Sequence, residues 1–408
     1  MVTRREFLRA GALAAAAGVI PGGRLGGAPL VLGQSYFGVH PFIESNAKAV
    51  FIRRTHVPSV TDDAAKRQEG LALAREIFVP MERPGIPLTH RIILKPNALS
   101  IDAAFYEGMV MGLRELGLRS LYFVEANEYP TWVRRGFVDI NQRQGVEMNE
   151  CDRRPRDFRE GNGMIWSKVP DAVIYRRIPH YAPVNEPRTW LLNMAKWRSH
   201  GMCLTQSVKN EQGLVVLPFV RFCSGWSMVT GVPDFMKPDI NPLAEQKVKQ
   251  FFERHVRMGY SRYQSHDGLS PIHQEIWAHK TLDNMSVLET GLAMIEAIYP
   301  DTRGPEQPLT NLVMFGKDKF RLDLIGLYLG GHEPGNVHLY RIAKERGLSD
   351  TFNPWEVPIY EWESGGRVTP RKLTDFPRTP IKTGYLTLDG EPGLHLVNQR
   401  FDYDRHKI

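Results

Sequence analysis

The stretch Trp197-Arg-Ser-His-Gly-Met-Cys-Leu-Thr-Gln-Ser-Val-Lys-Asn-Glu-Gln-Gly213 decides how this chain is read. It sets His200 at the end of an expected helix, then an apolar run over 204–208, then Lys209 and Asn210 ahead of a turn glycine. A helix handing over to a buried strand with Lys-Asn at its exit brings polar groups to both ends of one buried segment. Open α/β sheets build their sites at such element ends. A lysine at a strand exit, partly out of water, is a candidate anion ligand, base or covalent anchor.

Outward from this stretch the chain alternates. Residues 48–54 read as a strand, and Thr61-Asp62-Asp63 caps a helix running toward Phe78. Arg91-Ile-Ile-Leu-Lys95 is a second strand, stopped by Pro96. Residues 101–116 read as a helix ending at Gly117, and 121–124 as a third strand. This order predicts right-handed crossovers and an α/β fold of parallel-rich mixed sheets with helices on both faces. Further strands are expected over 172–175, 204–208 and 312–315, and further helices over 188–197, 243–258, 285–298 and 320–329.

Residues 129–164, rich in Arg, Asn, Gly and Asp, read as an irregular surface insertion. Residues 219–241 read as a long ordered loop over a site, and 386–396 as a hairpin. The expected division is a signal and linker over 1–33, α/β lobes over 34–200 and 201–350, and a C-terminal extension over 351–408.

Composition narrows the class. The chain has 408 residues, 42% hydrophobic and 24% charged, which is the balance of a globular protein with room for a large core. Of the formal charge of +7, Arg4, Arg5, Arg9 and Arg24 against Glu6 supply +3, so about +4 is spread over the rest. Without a dense Lys/Arg run there is no nucleic-acid footprint, while anionic small molecules suit the charge. The three cysteines, Cys151, Cys203 and Cys223, form no Cys-x-x-Cys pair, so they build neither a zinc knuckle nor an iron–sulfur cluster.

Thr3-Arg4-Arg5-Glu6-Phe7-Leu8-Arg9 followed by an alanine-rich run matches a twin-arginine export signal. The apolar run is too short for a confident membrane span, so a stable span is expected only if the signal stays on as an anchor. The expectation is a periplasmic or extracellular protein, exported folded, with the twin-arginine translocase as a partner during export.

Several side-chain groups could carry chemistry. Lys95-Pro96-Asn97 closes one strand and Glu125-Ala126-Asn127-Glu128 closes its neighbour, a cationic and an anionic end facing one crevice. His200 reads either as a capping cation or as a catalyst. His266-Asp267-Gly268, His273, Glu275 and His279 form the densest histidine region. His273 and His279 stand six apart, roughly 240° around a helix, so a metal site there is disfavoured and a loop lining the cleft is expected. Asp318 fits a helix N-cap. Asp323 lies among Leu322, Leu324 and Ile325, where a buried carboxylate needs Lys95, Lys209, a backbone amide or a metal, unless it faces solvent. The site expected from sequence thus has His200, Lys209 and Asp323 as catalytic groups, and Lys95, Asn97, Glu125, Asn210 and Asp318 as substrate-binding groups. A divalent metal stays open.

Taken in order, residues 91–97, 121–125, His200 through Lys209-Asn210, Gly304-Pro305 and 316–330 resemble the bacterial and archaeal family labelled domain of unknown function 362. The resemblance covers roughly 49–348 and implies an α/β protein of unsettled activity, sometimes joined to iron–sulfur modules. The dense cysteine run of such modules is missing, so no intrinsic cluster is expected. Glu289-Thr290-Gly291 stands where many members have Asp-Gly before the Gly-Pro turn. The functional expectation is an exported enzyme with a polar cleft for a small anionic molecule or cofactor. The alternatives are a non-catalytic periplasmic ligand-binding protein and a scaffold using the loop around Trp226.

Overall fold

Two aspartates start the first crossover helices. Asp62 accepts the amide of Ala65, and Asp102 accepts those of Ala104 and Phe105, satisfying donors that a helix's first turn leaves open. Gly117, at φ 92°, ends the second of these helices in the left-handed conformation that a side chain resists. The computed structural model describes residues 35–405 apart from 83–84, 127–128, 150–162, 217–218, 220–233, 260–262, 266–270, 303–307, 384 and 388–399. The export signal, Cys151, Cys223, Trp226, His266-Asp267-Gly268, Gly304-Pro305 and most of the expected hairpin over 386–396 lie outside the described residues.

The chain begins with β1 (Tyr36–Val39), α1 (Pro41–Ser45), β2 (Val50–Arg54), α2 (Asp63–Ile77), β3 (Phe78–Met81) and β4 (Ile86–Pro87). Then come β5 (Arg91–Pro96), α3 (Ala103–Glu115), β6 (Leu121–Phe123), α4 (Tyr129–Arg134), α5 (Phe137–Gln144) and β7 (Glu147–Met148). A hairpin of β8 (Met164–Lys168) and β9 (Arg177–Tyr181) precedes the long β10 (Thr189–His200), β11 (Cys203–Thr205) and the single turn α6 (Ser207–Asn210). The remainder holds α7 (Ala244–Arg257), β12 (Tyr263–Ser265), α8 (Pro271–Met285), β13 (Leu292–Asp301), β14 (Leu312–Gly316), α9 (Lys319–Leu329) and α10 (His338–Glu345). It closes with β15 (Ile359–Trp362), β16 (Val368–Arg371) and β17 (Tyr385–Thr387).

Ten of these strands form one mixed sheet in the order β16-β15-β2-β14-β13-β10-β5-β6-β7, with β11 paired to β10. The α/β expectation holds. Strands from both expected lobes share this sheet, because β10 pairs in parallel with β5 on one side and β13 on the other. The expected C-terminal extension supplies β15, which pairs in parallel with β2. The expected surface insertion supplies α4, α5 and the edge strand β7, and its Trp132 and Phe137 are fully buried.

Four expected elements change type. Residues 188–197 form strand β10 rather than a helix. Leu191 to Trp197 is buried on both faces, so the alternation that marks a half-buried strand is missing, while Leu, Met, Ala and Lys favour helix. Residues 292–298 likewise belong to the buried strand β13, and the helix before it, α8, ends at Met285. The strand expected over 204–208 stops at Thr205 and gives way to α6. Residues 172–175 form no strand. The amides of Val173, Ile174 and Tyr175 instead converge on the carboxylate of Asp283.

The sheet changes direction at one place. From β5 the chain moves to β6 and β7, whereas from β10 it moves the opposite way to β13. Such a switch point opens a crevice at the C-terminal strand ends. Helices α2 and α3 cover the face of Lys196 and Glu296, while α6 and α9 cover the face of Lys95 and Asn193.

Helices α2 and α3 meet backbone to backbone. A Cβ at Gly70 would lie 2.3 Å from the Phe105 carbonyl oxygen, and one at Gly108 would lie 2.0 Å from that of Arg67. Gly108→Ala is expected to lower the free energy of unfolding by about 1–3 kcal/mol through overpacking. A urea melt with an unchanged midpoint would contradict this contact.

Candidate functional site

A turn of four residues cannot hold itself in water, because helix nucleation fixes several residues for one hydrogen bond. The turn α6 is clamped from outside at each end. At its start, the Asp323 carboxylate accepts the amides of Ser207 at 2.8 Å and Val208 at 2.9 Å, together with the Ser207 hydroxyl and the Tyr340 hydroxyl at 3.0 Å. At its end, Asn210 donates to the Lys95 carbonyl at 3.0 Å and to Asn193 Oδ1 at 2.8 Å. Its own Oδ1 accepts from Lys95 Nζ at 3.0 Å.

Beneath α6 lies a network of buried charge. Lys95 Nζ pairs with Glu125 Oε2 at 2.9 Å, both side chains almost wholly out of water. Glu125 also accepts the amides of Ala98 and Ala126. Burial holds the Lys95 ammonium below its usual range, against the attraction of Glu125 and, farther off, Glu211. Asn193, beside Lys95 in the parallel register, donates to Glu211 Oε1 at 2.8 Å. Glu211 pairs in turn with Lys319 Nζ at 2.6 Å. Gly213 closes over the first pair, since a Cβ there would sit 2.3 Å from Glu125 Oε1 and 2.9 Å from Lys95 Nζ.

Among the residues of α6, Lys209 alone is not buried. Its Nζ lies 5.6 Å from the centroid of the Trp277 ring on α8. The His200 ring meets the same indole edge to face at 4.9 Å. His200 Nδ1 accepts the Met202 amide at 3.0 Å, which puts the proton of the neutral ring on Nε2. The structure thus gathers His200 and Lys209 at one tryptophan, although His200 ends a strand rather than a helix and Lys209 rides a helical turn rather than a strand exit.

The other expected site residues sit behind this pair. Lys95, Glu125 and Asn210 form one network, as strand ends of opposite charge predict, but Lys95 meets its anion inside the protein instead of sharing a ligand with Lys209. Asp323 is fully buried and, of its four possible partners, takes backbone amides. It acts on Lys209 through the backbone. Asp318 caps α9 through the amides of Phe320 and Arg321, and burial raises its carboxyl. Asn97 is buried, and its amide bonds the Met194 carbonyl.

His273, Glu275 and His279 lie on α8, not on a loop. His255 lies between Glu275 Oε1 at 3.0 Å and Glu345 Oε1 at 2.9 Å, one carboxylate at each ring nitrogen. Against the effect of burial, the two carboxylates hold the His255 imidazole above its usual range. Among the described residues no group of three or more His, Cys, Asp or Glu side chains could hold a metal ion. Among them, too, no helix is long and apolar enough to cross a membrane.

Sequence reasoning missed Trp277, Asn193, Glu211 and Lys319. Lys319 stood in view within Gly316-Lys317-Asp318-Lys319, and Glu211 directly follows Lys209-Asn210. No protein-family model, curated protein or solved structure matches the chain.

The clamp on α6 has a pH signature. Burial pushes the Asp323 carboxyl up to about 7, against the pull of the Ser207, Val208 and Tyr340 donors. A carboxyl raised from an unfolded value of about 4 supports folding most fully below that unfolded value. The support is lost as pH climbs through about 7. The stability advantage of wild type over Asp323→Asn, read from urea melts, is therefore expected to be larger at pH 5 than at pH 8, by on the order of a few kcal/mol. An advantage that grows toward pH 8 would reverse this sign.

Proposed function

We propose that this is an exported, enzyme-like α/β protein of the type labelled domain of unknown function 362, binding a small anionic molecule or cofactor at His200 and Lys209. One observation carries the reading: a turn locked at both ends by buried partners leaves only Lys209 partly open to water, with His200 on the same indole. Groups held this way lose little freedom when a ligand arrives, which is how binding and catalytic sites are made precise. The Lys209 ammonium and the Nε2 proton of His200 are both donors, and an oxyanion complements both. Asp323, Asn210, Lys95 and Glu125 position the turn and do not touch the ligand.

Native mass spectrometry of protein exported in its own host tests the reading by finding the bound anion. Lys209→Ala is expected to weaken its retention by ~10-fold or more, the scale of one charge-assisted hydrogen bond. The same change should cost about 1 kcal/mol of stability or less, because a half-exposed lysine packs little. Retention equal to wild type in both Lys209→Ala and His200→Ala would remove the site. A bound species that is never turned over would leave a periplasmic ligand-binding protein instead.

The export half of the reading rests on Arg4 and Arg5 before Phe7-Leu8. Replacing both arginines by lysine is expected to hold the protein in the cytoplasm, as fractionation would read. Undiminished periplasmic yield would reject the twin-arginine route.

A further inference from the structure

On the opposite face of the sheet from Lys209, a second group of charges gathers at the C-terminal ends of β5, β10 and β13, where the chain changes direction. Its floor is Lys196 Nζ on Glu296 Oε2 at 2.6 Å, both side chains 0% exposed. Glu296 also accepts the amides of Asp102 and Ile298. The Lys196 ammonium also lies 3.6 Å from the centroid of the Tyr299 ring, and the Tyr299 hydroxyl donates to Asp102 Oδ2 at 3.0 Å. Above this floor the group opens: Arg198 and Asp301, paired at 3.2 Å, are 18% and 23% exposed, and Tyr299 and Arg135 are half-buried.

Three of the four cations have a carboxylate at ion-pair distance and the fourth does not. Lys196 has Glu296, Arg198 has Asp301, and Lys66 has Asp102 at 2.6 Å with the exposed Asp63 behind it. Arg135 has no carboxylate within ion-pair distance among the described residues. Its Nη1 and Nη2 donate to the carbonyls of Leu99 and Ile101, the latter at 2.7 Å. Burial draws this guanidinium below its usual range, against the more distant pull of Tyr299, Asp102, Asp301 and Glu296. A guanidinium has five N–H donors in a flat fork suited to two oxygens of one anion. Two of the five are spent on the connection between β5 and α3, which fixes the fork over the strand ends.

We propose that Arg135, anchored on the connection between β5 and α3 beside the switch between β5 and β10, is the principal cation of a second site that binds a small oxyanion, a carboxylate or a phosphate. The site does not depend on the one at Lys209, from which the sheet separates it. Switch-point crevices are where open α/β sheets take their ligands, and this one offers an anchored cation that has no carboxylate at ion-pair distance among the described residues.

Isothermal titration of the full chain with inorganic phosphate, and separately with succinate, tests this. Saturable binding of at least one is expected, weakened ~10-fold or more in Arg135→Gln and unaltered in Arg257→Gln, which removes an exposed charge elsewhere. The anion that binds identifies the source. Lys209→Ala separates the two sites, since a loss confined to that variant concerns the site at Trp277. If Arg135→Gln does not fold, arginine-selective dicarbonyl labelling of the wild type, read by mass spectrometry, replaces it, and the bound anion should shield Arg135. Absence of binding by either anion, wild-type affinity in Arg135→Gln, or labelling of Arg135 that neither anion slows would each overturn the proposal.

Discussion

The Asp323 carboxylate, held by the amides of Ser207 and Val208, fixes where the chain from Gln206 to Gly213 runs. The bonded partners stand 116 and 115 residues apart in sequence, so α9 dictates the position of a turn it follows only at great remove. Losing the carboxylate would leave buried amides without acceptors, at about 1–3 kcal/mol each. It would also free a turn too short to persist alone. Lys209 is placed by this contact, and Asn210 is delivered to Lys95 and Asn193 by the same turn.

Charge is buried here in matched pairs: Lys95 with Glu125, Lys319 with Glu211, Lys196 with Glu296. Such pairs contribute little net stability over apolar packing, because desolvation offsets most of the attraction, yet removing one partner strands the other at several kcal/mol. Each pair ties separate elements together. Glu125 follows β6 and reaches the end of β5, Glu211 follows α6 and reaches α9, and Glu296 on β13 reaches β10. A shift of any strand by one residue would bring an unpaired ion into the core.

The alternation over 48–124 was legible because its punctuation is local: Asp62 and Asp102 start helices, Pro96 stops a strand, and Gly117 ends a helix. Helix α9 and its cap Asp318 were legible for the same reason. Strands β10 and β13 were not, since burial on both faces erases the period of two while Leu, Met, Ala, Lys and Glu among their residues favour helix. The neighbourhood of Lys95 and Glu125 could be inferred from two strand ends of opposite charge. Asp323 could be flagged as a buried carboxylate, but not assigned among its possible partners. The partners of Trp277, Asn193 and Lys319 were out of reach, because each acts across a separation that no local pattern records. Lys319 and Glu211, 108 positions apart, are one such case.

Strand β2 has a bearing on how the chain is made. Val50, Phe51 and Ile52 are 0% exposed, and the strand's two neighbours are β14 and β15. Both neighbours leave the ribosome long after it, β15 on the order of 300 residues later, or roughly 15–60 s at ~5–20 residues per second. Throughout that interval the apolar run Val50-Phe51-Ile52 has two open edges, the condition under which nascent chains pair with one another. The β2 part of the central sheet is therefore completed only after β15 has been made, and a chaperone that shields residues 50–54 during elongation would cover both open edges of that strand.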